Sequence, residues 1–370
     1  MAALSHQTPR QAVVDAIAKL VDNLVNIKDE TGEFLMRLDD GRVIDTKGWN
    51  DWEWTHGVGL FGLWRLHEQT GDPHARQVMT QWYADRFAAG TPTKNINTMS
   101  PFLALAYLYE QTDDQTYRPY LEAWAEWLMA EDGLPKTEEG GFQHITYDTE
   151  NFQQLWDDTL MMSVLPLAKI GLLLNRPPYV EEAKRQFLLH IKYLTDRQTG
   201  LWYHGWTFDG RHHFAGALWA RGNCWVTIAI PEFIEMLDLP PGDALRTFLV
   251  DALVAQVETL ARHQDDSGLW HTLLVDPSSY LEASATAGFA YGILKAVRKG
   301  YLPRRLEAVG LKAAQAVLAN IDSAGELKQV SFGTAMGHEM QFYKDIPLTS
   351  MPYGQSLAIL ALTEFLRTYI

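Results

Sequence analysis

A chain of 370 residues, 47% of them apolar, can bury a sizeable core, and its 13 Trp, 15 Tyr and 15 Phe supply the flat surfaces that sugars bind as well as packing. A formal charge of −15 argues against nucleic acid or an anionic membrane surface as partner, and leaves an acidic ligand to be met by a few local cations. The single cysteine, Cys224, excludes an intrachain disulfide and a multi-cysteine metal cage. No stretch approaches the ~20 apolar residues of a membrane span, and the start, MAALSHQTPRQAVVDAIAKL, lacks a long apolar secretion core, so a cytoplasmic protein is expected.

Helical periodicity predicts twelve helices, in chain order 9–26, 52–70, 73–88, 97–112, 115–131, 156–174, 178–196, 217–237, 241–263, 280–299, 302–320 and 353–369. They fall into repeats. LWRLHEQTGDPHA at 63–75 and LAYLYEQTDDQTY at 105–117 share L-x-x-L-(H/Y)-E-Q-T-x-D at an offset of 42 residues, an αα-hairpin written twice. LAKIGLLLNRPPYVEEAKRQF and LKAVRKGYLPRRLEAVGLKAA have the same shape, with Pro177–Pro178 and Pro303 marking the turns. A glycine turn leading into a short extended piece follows several of these hairpins: TGEF, GGFQH, TGLWYH, SGLWH and AGEL. The last four of these glycines, Gly141, Gly200, Gly268 and Gly325, are 59, 68 and 57 residues apart, so the chain divides into six units. That period exceeds the usual short-repeat solenoids, and six hairpins can close into a ring. The expected fold is all-α, a single (α/α)6-barrel domain over 1–370. The helices from 52, 97, 156, 217, 280 and 353 form the inner layer, because LMMSVLPLAKIGLLL and YGQSLAILALTEFL are apolar nearly all round.

One rim of such a barrel gathers the N-termini of the inner helices and the extended pieces that lead into them. QQLWDDTLMM at 153–162 places Asp157 and Asp158 there. Successive helical residues point about 100° apart, so the two cannot aim at one point. Either both serve the helix start, as cap and first-turn acid, or one does and the other faces the barrel. In LWARGNCWVTIAI, Arg221 opens the next inner helix, against the dipole, so it needs an anionic partner: a protein carboxylate, or a substrate carboxylate held by both arms. Trp219 and Trp225, six apart, project to opposite sides. His144, His204 and His271 occur in the extended pieces. No zinc-type spacing, phosphate loop or dinucleotide fingerprint is present, and neither metal nor cofactor is expected. Glu138–Glu139 are alternative acid/base candidates, with a solvated turn as the plainer account.

GGFQH, QLWDDTLMMSVLPLAKIG, TGLWYHGW, LWARGNCWV, SGLWHTLLVDPSSYLEASATAGFAYGILKAVRKGYL and GQSLAILALTE together resemble glycoside hydrolase family 105, the unsaturated rhamnogalacturonyl hydrolases, with the family 88 unsaturated glucuronyl hydrolases as cousins. The resemblance runs nearly end to end and implies an (α/α)6 barrel. It implies removal of a Δ4,5-unsaturated uronic acid from short oligosaccharides left by polysaccharide lyases, as in pectin degradation. Asp158 is then the general acid/base, with Trp156 in the same pocket and His144 and His204 near the uronate. Arg221 meets the substrate, Trp219 and Trp225 are apolar walls, and Asp157 has the capping or structural part. His338, in FGTAMGHEMQFY, is a further substrate contact. The chain departs from the family where Asn97 stands near a common aspartate; Asn97 is expected to hydrogen-bond the sugar there. The implied partner is a small unsaturated oligosaccharide; oligomeric state is not readable. An unsaturated β-glucuronyl hydrolase of ulvan or glycosaminoglycan type, a sugar epimerase on the same fold and a non-catalytic glycan binder are the alternatives.

Overall fold

Local chemistry starts the helices where the periodicity places them. In the computed structural model, which describes residues 8–369, the chain runs through α1 (Arg10–Asn26), β1 (Leu35–Arg37), β2 (Val43–Asp45), α2 (Trp54–Thr70), α3 (Pro73–Ala89), α4 (Phe102–Thr112), α5 (Arg118–Met129), β3 (Gln154–Trp156), α6 (Leu165–Leu173) and α7 (Pro177–Leu194). It continues through β4 (Gly205–Thr207), α8 (Ala220–Met236), α9 (Ala244–His263), β5 (Trp270–His271), β6 (Leu281–Glu282), α10 (Ala283–Arg298), α11 (Glu307–Ala319), α12 (Met340–Lys344) and α13 (Pro352–Leu366). Asp72 caps α3 by accepting the His74 N–H at 2.8 Å, with Pro73 at the first helical position. Asp243 caps α9 through the Arg246 N–H, also 2.8 Å.

The inner helices α2, α4, α6, α8, α10 and α13 pack each on the next, and α13 packs back on α2, closing a six-membered ring. Outside it, α1 lies on α13, α3 on α2, α5 on α4 and α6, α7 on α6, α9 on α8, and α11 on α10 and α13. Burial follows from these positions. In α1 only the stripe Val13, Ile17, Leu20, Val21 and Leu24, with Ala16, is buried, the one-faced pattern of an outer helix. In α13 every residue from Pro352 to Leu366 is buried, as an inner helix with neighbours on all sides requires.

Three of the glycine turns are tight hairpins closed on an aspartate, the one at Asp196 a residue longer than the other two; in the fourth the turn is made by Gly140, φ 78°, bonded to the Thr137 carbonyl, and not by Gly141. The N–H of Gly200, Gly268 and Gly325 donates to the carbonyl of Asp196, Asp265 and Asp322 respectively, and each glycine has φ between 76° and 91°, a left-handed conformation that costs glycine nothing. The repeated aspartate was as visible in the sequence as the repeated glycine.

The helices predicted at 97–112, 156–174 and 302–320 are not continuous. A 3-10 turn, Asn97–Met99, precedes α4, and another, Arg304–Leu306, precedes α11. The third begins as β3, passes through Asp157 and Asp158 as a turn, and enters a π-helical turn, Leu160–Val164, before α6. Pro166 accounts for the widened turn: it has no N–H to give and its ring crowds the carbonyl one turn back. The Leu165 N–H accordingly reaches the Leu160 carbonyl, five residues back.

The far mouth, where the inner helices end, is closed by charge. Glu232 on α8 is 1% exposed and accepts hydrogen bonds from Arg65 on α2 and from Tyr291 and Lys295 on α10. Cations there complement the carbonyl ends of the helices. A cavity of about 420 Å³ opens beside them, lined also by Lys169, Arg298 and Glu364.

Candidate active site

β3 pairs antiparallel with β4, Trp156 opposite Gly205, and the ladder extends by one bond, from the Asp157 N–H to the His204 carbonyl at 3.0 Å. Segments almost 50 residues apart thereby place Trp156, Asp157, Asp158 and His204 together. The His144 ring stacks on Trp156 with centroids 4.2 Å apart and planes 6° from parallel, and His204 meets the same indole edge-on at 5.3 Å.

The two aspartates part company here. The Asp158 carbonyl accepts the N–H groups of Met161 and Met162, so the helical turns begin at Asp158. Its side chain is 17% exposed, with Oδ1 3.3 Å from His144 Nδ1. Burial lifts this carboxyl to about 7 against the opposing pull of Arg221 and of the backbone N–H groups at 158 and 159. Asp157 is fully buried and lies against Gly222, where a Cβ would overlap its carboxylate. Neither of its oxygens has a hydrogen-bond partner, and burial, then the charge of Asp158, raise it well above the carboxylate range. The capping part expected for Asp157 is therefore not what its side chain does. It is a buried acid packed on the first turn of α8.

Both histidines are neutral. Burial, with His204 and His190 adding to it, holds His144 well below the imidazole range, and its Nδ1 lies 2.8 Å from Thr159 Oγ1. Burial and Arg221 bring His204 down to about 3. The Tyr343 hydroxyl accepts the Gly337 N–H, and of the two acceptors within reach of its own proton, His204 Nδ1 at 2.7 Å is nearer and stronger than Met336 Sδ at 3.8 Å. That arrangement puts the imidazole proton on Nε2, which is buried and without a protein partner.

Arg221 departs from expectation. Its guanidinium donates to the Ser331 carbonyl and hydroxyl, to the Phe332 carbonyl at 2.7 Å and to Thr334 Oγ1 at 3.4 Å. It lies between the rings of Trp219 and Tyr353, 4.6 and 4.9 Å from their centroids. The two-armed edge that a substrate carboxylate would need is committed to backbone carbonyls of the 331–334 loop, so neutral oxygens stand where an anionic partner was expected. Glu282, at the start of α10, fixes the same loop by accepting the Ser331 N–H at 2.9 Å.

Trp219 immediately precedes α8 and packs on His204, centroids 4.5 Å apart. Trp225, 1% exposed, lies deeper and meets Trp54 edge-on at 6.0 Å. Trp54, half-buried and stacked on Tyr353 at 4.5 Å, is the part of that wall nearer the rim. Asn97, half-buried, opens the 3-10 turn on the same rim, beside the buried carboxyl of Glu53. His338 is exposed, edge-on to Phe214 at 5.3 Å, outside the cluster around Asp158. His271 is bonded to the Ser279 carbonyl. Glu138 and Glu139 pair with Arg211 and Lys192 at the surface, which leaves the solvated turn as their account. Among the described residues no three His, Cys, Asp or Glu side chains gather as metal ligands, and no helix is long and apolar enough to cross a membrane. Sequence reasoning missed Glu53, Trp54, Tyr343 and the 331–334 loop. For the first two, the run DWEWTHG at an inner-helix start was the available signal; for the others it was FGTAMGHEMQFY, from which only His338 was taken.

A ring of six α-hairpins with aromatic walls and a near-neutral carboxyl on one rim is the architecture of a glycan-processing enzyme. The profile of Glycosyl Hydrolase Family 88 matches residues 26–369. Unsaturated rhamnogalacturonyl hydrolase YesR of Bacillus subtilis (strain 168) is 32% identical over 321 residues, 86% of this chain and 90% of that protein. The crystal structure of a possible GH105 member from Salmonella enterica subsp. enterica serovar Paratyphi A superposes with a TM-score of 0.97 at 63% identity, covering 98% of this chain and 96% of that one. One from Klebsiella pneumoniae subsp. pneumoniae superposes with a TM-score of 0.96 at 62% identity, covering 98% and 95%. The chain belongs to glycoside hydrolase family 105, related to family 88, and is a glycosidase.

Proposed function

We propose that this chain, acting as one catalytic domain in the cytoplasm, removes a Δ4,5-unsaturated uronic acid from the non-reducing end of lyase-generated oligosaccharides. An unsaturated rhamnogalacturonan disaccharide is the substrate. The carrying observation is Asp158, a mostly buried carboxyl poised at about 7, where a group can both give and take a proton near neutrality. The activity in the name of the Bacillus relative supports the substrate class.

Asp158 protonates C4 of the C4=C5–O5 vinyl ether, leaving positive charge shared by C5 and O5. Water adds at C5 while the Asp158 carboxylate takes one of its protons. The C5 hemiketal opens to a ketone as O5 departs from C5 and becomes the C1 hydroxyl, and this C1 hemiacetal releases the aglycone alcohol. One water is consumed per bond broken. Trp156 and His144 frame the proton donor, and the buried, unpartnered Nε2–H of His204 is the donor for the uronate carboxylate. Arg221 acts indirectly, holding the 331–334 loop and favouring the Asp158 anion. Trp219 walls the pocket directly, Trp225 backs Trp54, and Asn97 contacts the sugar. His338 belongs to the outer mouth, within reach of the leaving sugar.

The test follows the ultraviolet absorbance of the conjugated C4=C5 bond. Wild type should bleach an unsaturated rhamnogalacturonan disaccharide, and Asp158→Asn should be slower by about 10²–10⁴-fold while still binding it. Equal rates for the two proteins would remove Asp158 from the chemistry. Absorbance unchanged with wild type, across a panel that includes ulvan-type and glycosaminoglycan-type disaccharides, would sink the reading.

A further inference from the structure

No step of that reaction uses Glu53, yet it is the buried carboxyl at the start of α2, on the same rim as Asp158, and it is 1% exposed. Its Oε2 caps the helix by accepting the Trp54 N–H at 2.5 Å. Its own N–H donates to His56 Nδ1 at 3.0 Å, while His56 Nε2 sits 2.7 Å from the Gly48 carbonyl. Nε2 therefore carries the imidazole proton, and His56, held down by burial, offers Glu53 no charge. Oε1 is buried, without a closed hydrogen bond of its own, and the Asn97 amide lies against the carboxyl with its nitrogen placed to favour the anion, an orientation that exchange of the amide's two ends reverses. The ionisable groups facing it from the surrounding loops are the carboxylates of Asp51 and Asp148 and the phenol of Tyr147. Arg42 lies beyond, 5.8 Å over the Tyr147 ring.

We propose that Glu53, protonated on Oε1, is a positioning residue: its O–H donates to Asn97 Oδ1 and so turns the Asn97 amide nitrogen towards the sugar. The division of labour follows from the cap. Oε2 must accept from the backbone, so the proton belongs on Oε1, and a protonated Oε1 is a donor that needs the carbonyl end of the amide. An asparagine's orientation is set by such a network. Burial, reinforced by Asp51 and Asp148, lifts Glu53 to about 8 against the opposing pull of the Trp54 N–H and of the Asn97 amide, so the donor is present at neutral pH. Above that point the carboxylate accepts from the amide nitrogen instead, the amide turns over, and the sugar meets an acceptor where it had a donor. The inference rests on the rim being the sugar site.

The experiment measures calorimetric affinity for the unsaturated disaccharide from pH 6 to 9 in Asp158→Asn, which slows turnover and removes the Asp158 titration, and in the same background with Glu53→Gln or Asn97→Leu. Glutamine keeps the pattern, with its oxygen on the cap and its NH₂ on Asn97. Affinity in the parent should fall about tenfold through pH 8, the size of one lost hydrogen bond. With Glu53→Gln it should equal the parent's at pH 7 and pass through pH 8 unchanged. With Asn97→Leu it should be weak at pH 7 and flat. Parent and Glu53→Gln tracking each other across pH 8, or Glu53→Gln weak throughout, would overturn the proposal. Infrared difference spectra of wild type minus Glu53→Gln read the carboxyl without any ligand. A protonated band lost with a midpoint near 8 is expected, and one lost near 4 would overturn the proposal even if the disaccharide were never bound or cleaved.

Discussion

Asp158 carries its proton at a cost to folding. A carboxyl whose folded pKa lies above its unfolded value binds its proton more tightly in the folded state, so stability declines as pH climbs from the unfolded value of 3.8 to the folded value of about 7, and the loss is complete above that. At 1.36 kcal/mol per unit the penalty reaches up to about 4 kcal/mol at pH 8. Asp158→Asn, which cannot ionise, should therefore be more stable than wild type at pH 8 and nearly equal to it at pH 4, as read from urea midpoints. A variant less stable at both pH values would mean that Asp158 is a structural acid. The same reasoning locates Arg221. If it acts through Asp158, Arg221→Ala removes a charge that favours the anion, so the alkaline limb of kcat/KM should move up from about 7. A limb that stays in place while KM alone rises would return Arg221 to direct contact with the substrate. At this scale the sequence was legible where neighbours are local. The doublet declared itself, and a 100° step per residue already forbade one task for both acids. What it could not show was Arg221's company, because Ser331 and Phe332 are more than 100 residues away and offer backbone carbonyls, which carry no residue signature.

Elements were legible according to the range of the force that makes them. Caps, prolines and apolar stripes act within a few residues, and the twelve predicted helices coincide with the twelve that build the inner and outer layers, to within a few residues at most ends. The short ribbons are different. β3 exists only because β4 is there to pair with it, so Trp156 read as a helix start until its partner was in place. α12, five residues long, is below the length at which periodicity speaks, and with it went Tyr343. The charged floor was hidden for a related reason. Arg65, Glu232 and Lys295 stand on three different inner helices, and only ring closure makes them a cluster. Its energetics are testable. Glu232→Leu leaves Arg65 and Lys295 without their shared acceptor, a loss in the range of ~3–5 kcal/mol for a broken buried pair. The low end is expected because Arg65 keeps Glu68 and Lys295 keeps Glu235, both at 2.6 Å. Neighbouring cations hold Glu232 below its usual pKa despite its burial. Its contribution is therefore present above the unfolded value and fades as acid carries the pH down through the folded one, so the variant should also lose acid sensitivity. With the cluster at the far mouth, kcat/KM per folded molecule should stay put; a large fall would mean the two mouths are coupled.

Closure of the ring is a property of the whole chain, and its seam joins the two ends of the sequence. α1 lies on α13. Gln355 donates to Asn23 at 2.8 Å and to the Gly325 carbonyl at 2.6 Å, and accepts the Leu327 N–H at 2.8 Å. The Tyr369 hydroxyl donates to the Thr8 carbonyl. The family match begins only at residue 26, where α1 ends, so a chain cut there would keep every matched residue but Asn26. It should nevertheless fail. Removing α1 takes Val13, Ile17, Leu20, Val21 and Leu24 from the core. At roughly 1.5–3 kcal/mol for each buried side chain this is comparable with the 5–15 kcal/mol that typically holds a domain together. The damage should reach the active rim through α13, because Tyr353 at its start stacks on Trp54 and covers the guanidinium of Arg221, and Arg221 holds the loop beside Asp158. A chain of residues 27–370 should therefore melt without a cooperative transition, bind hydrophobic dye and leave the unsaturated disaccharide's absorbance unchanged, and a synthetic peptide of residues 8–28 should restore all three properties in part. A sharp melt with full turnover in the truncated chain would show that five inner–outer hairpins and a bare α13 suffice to close the ring.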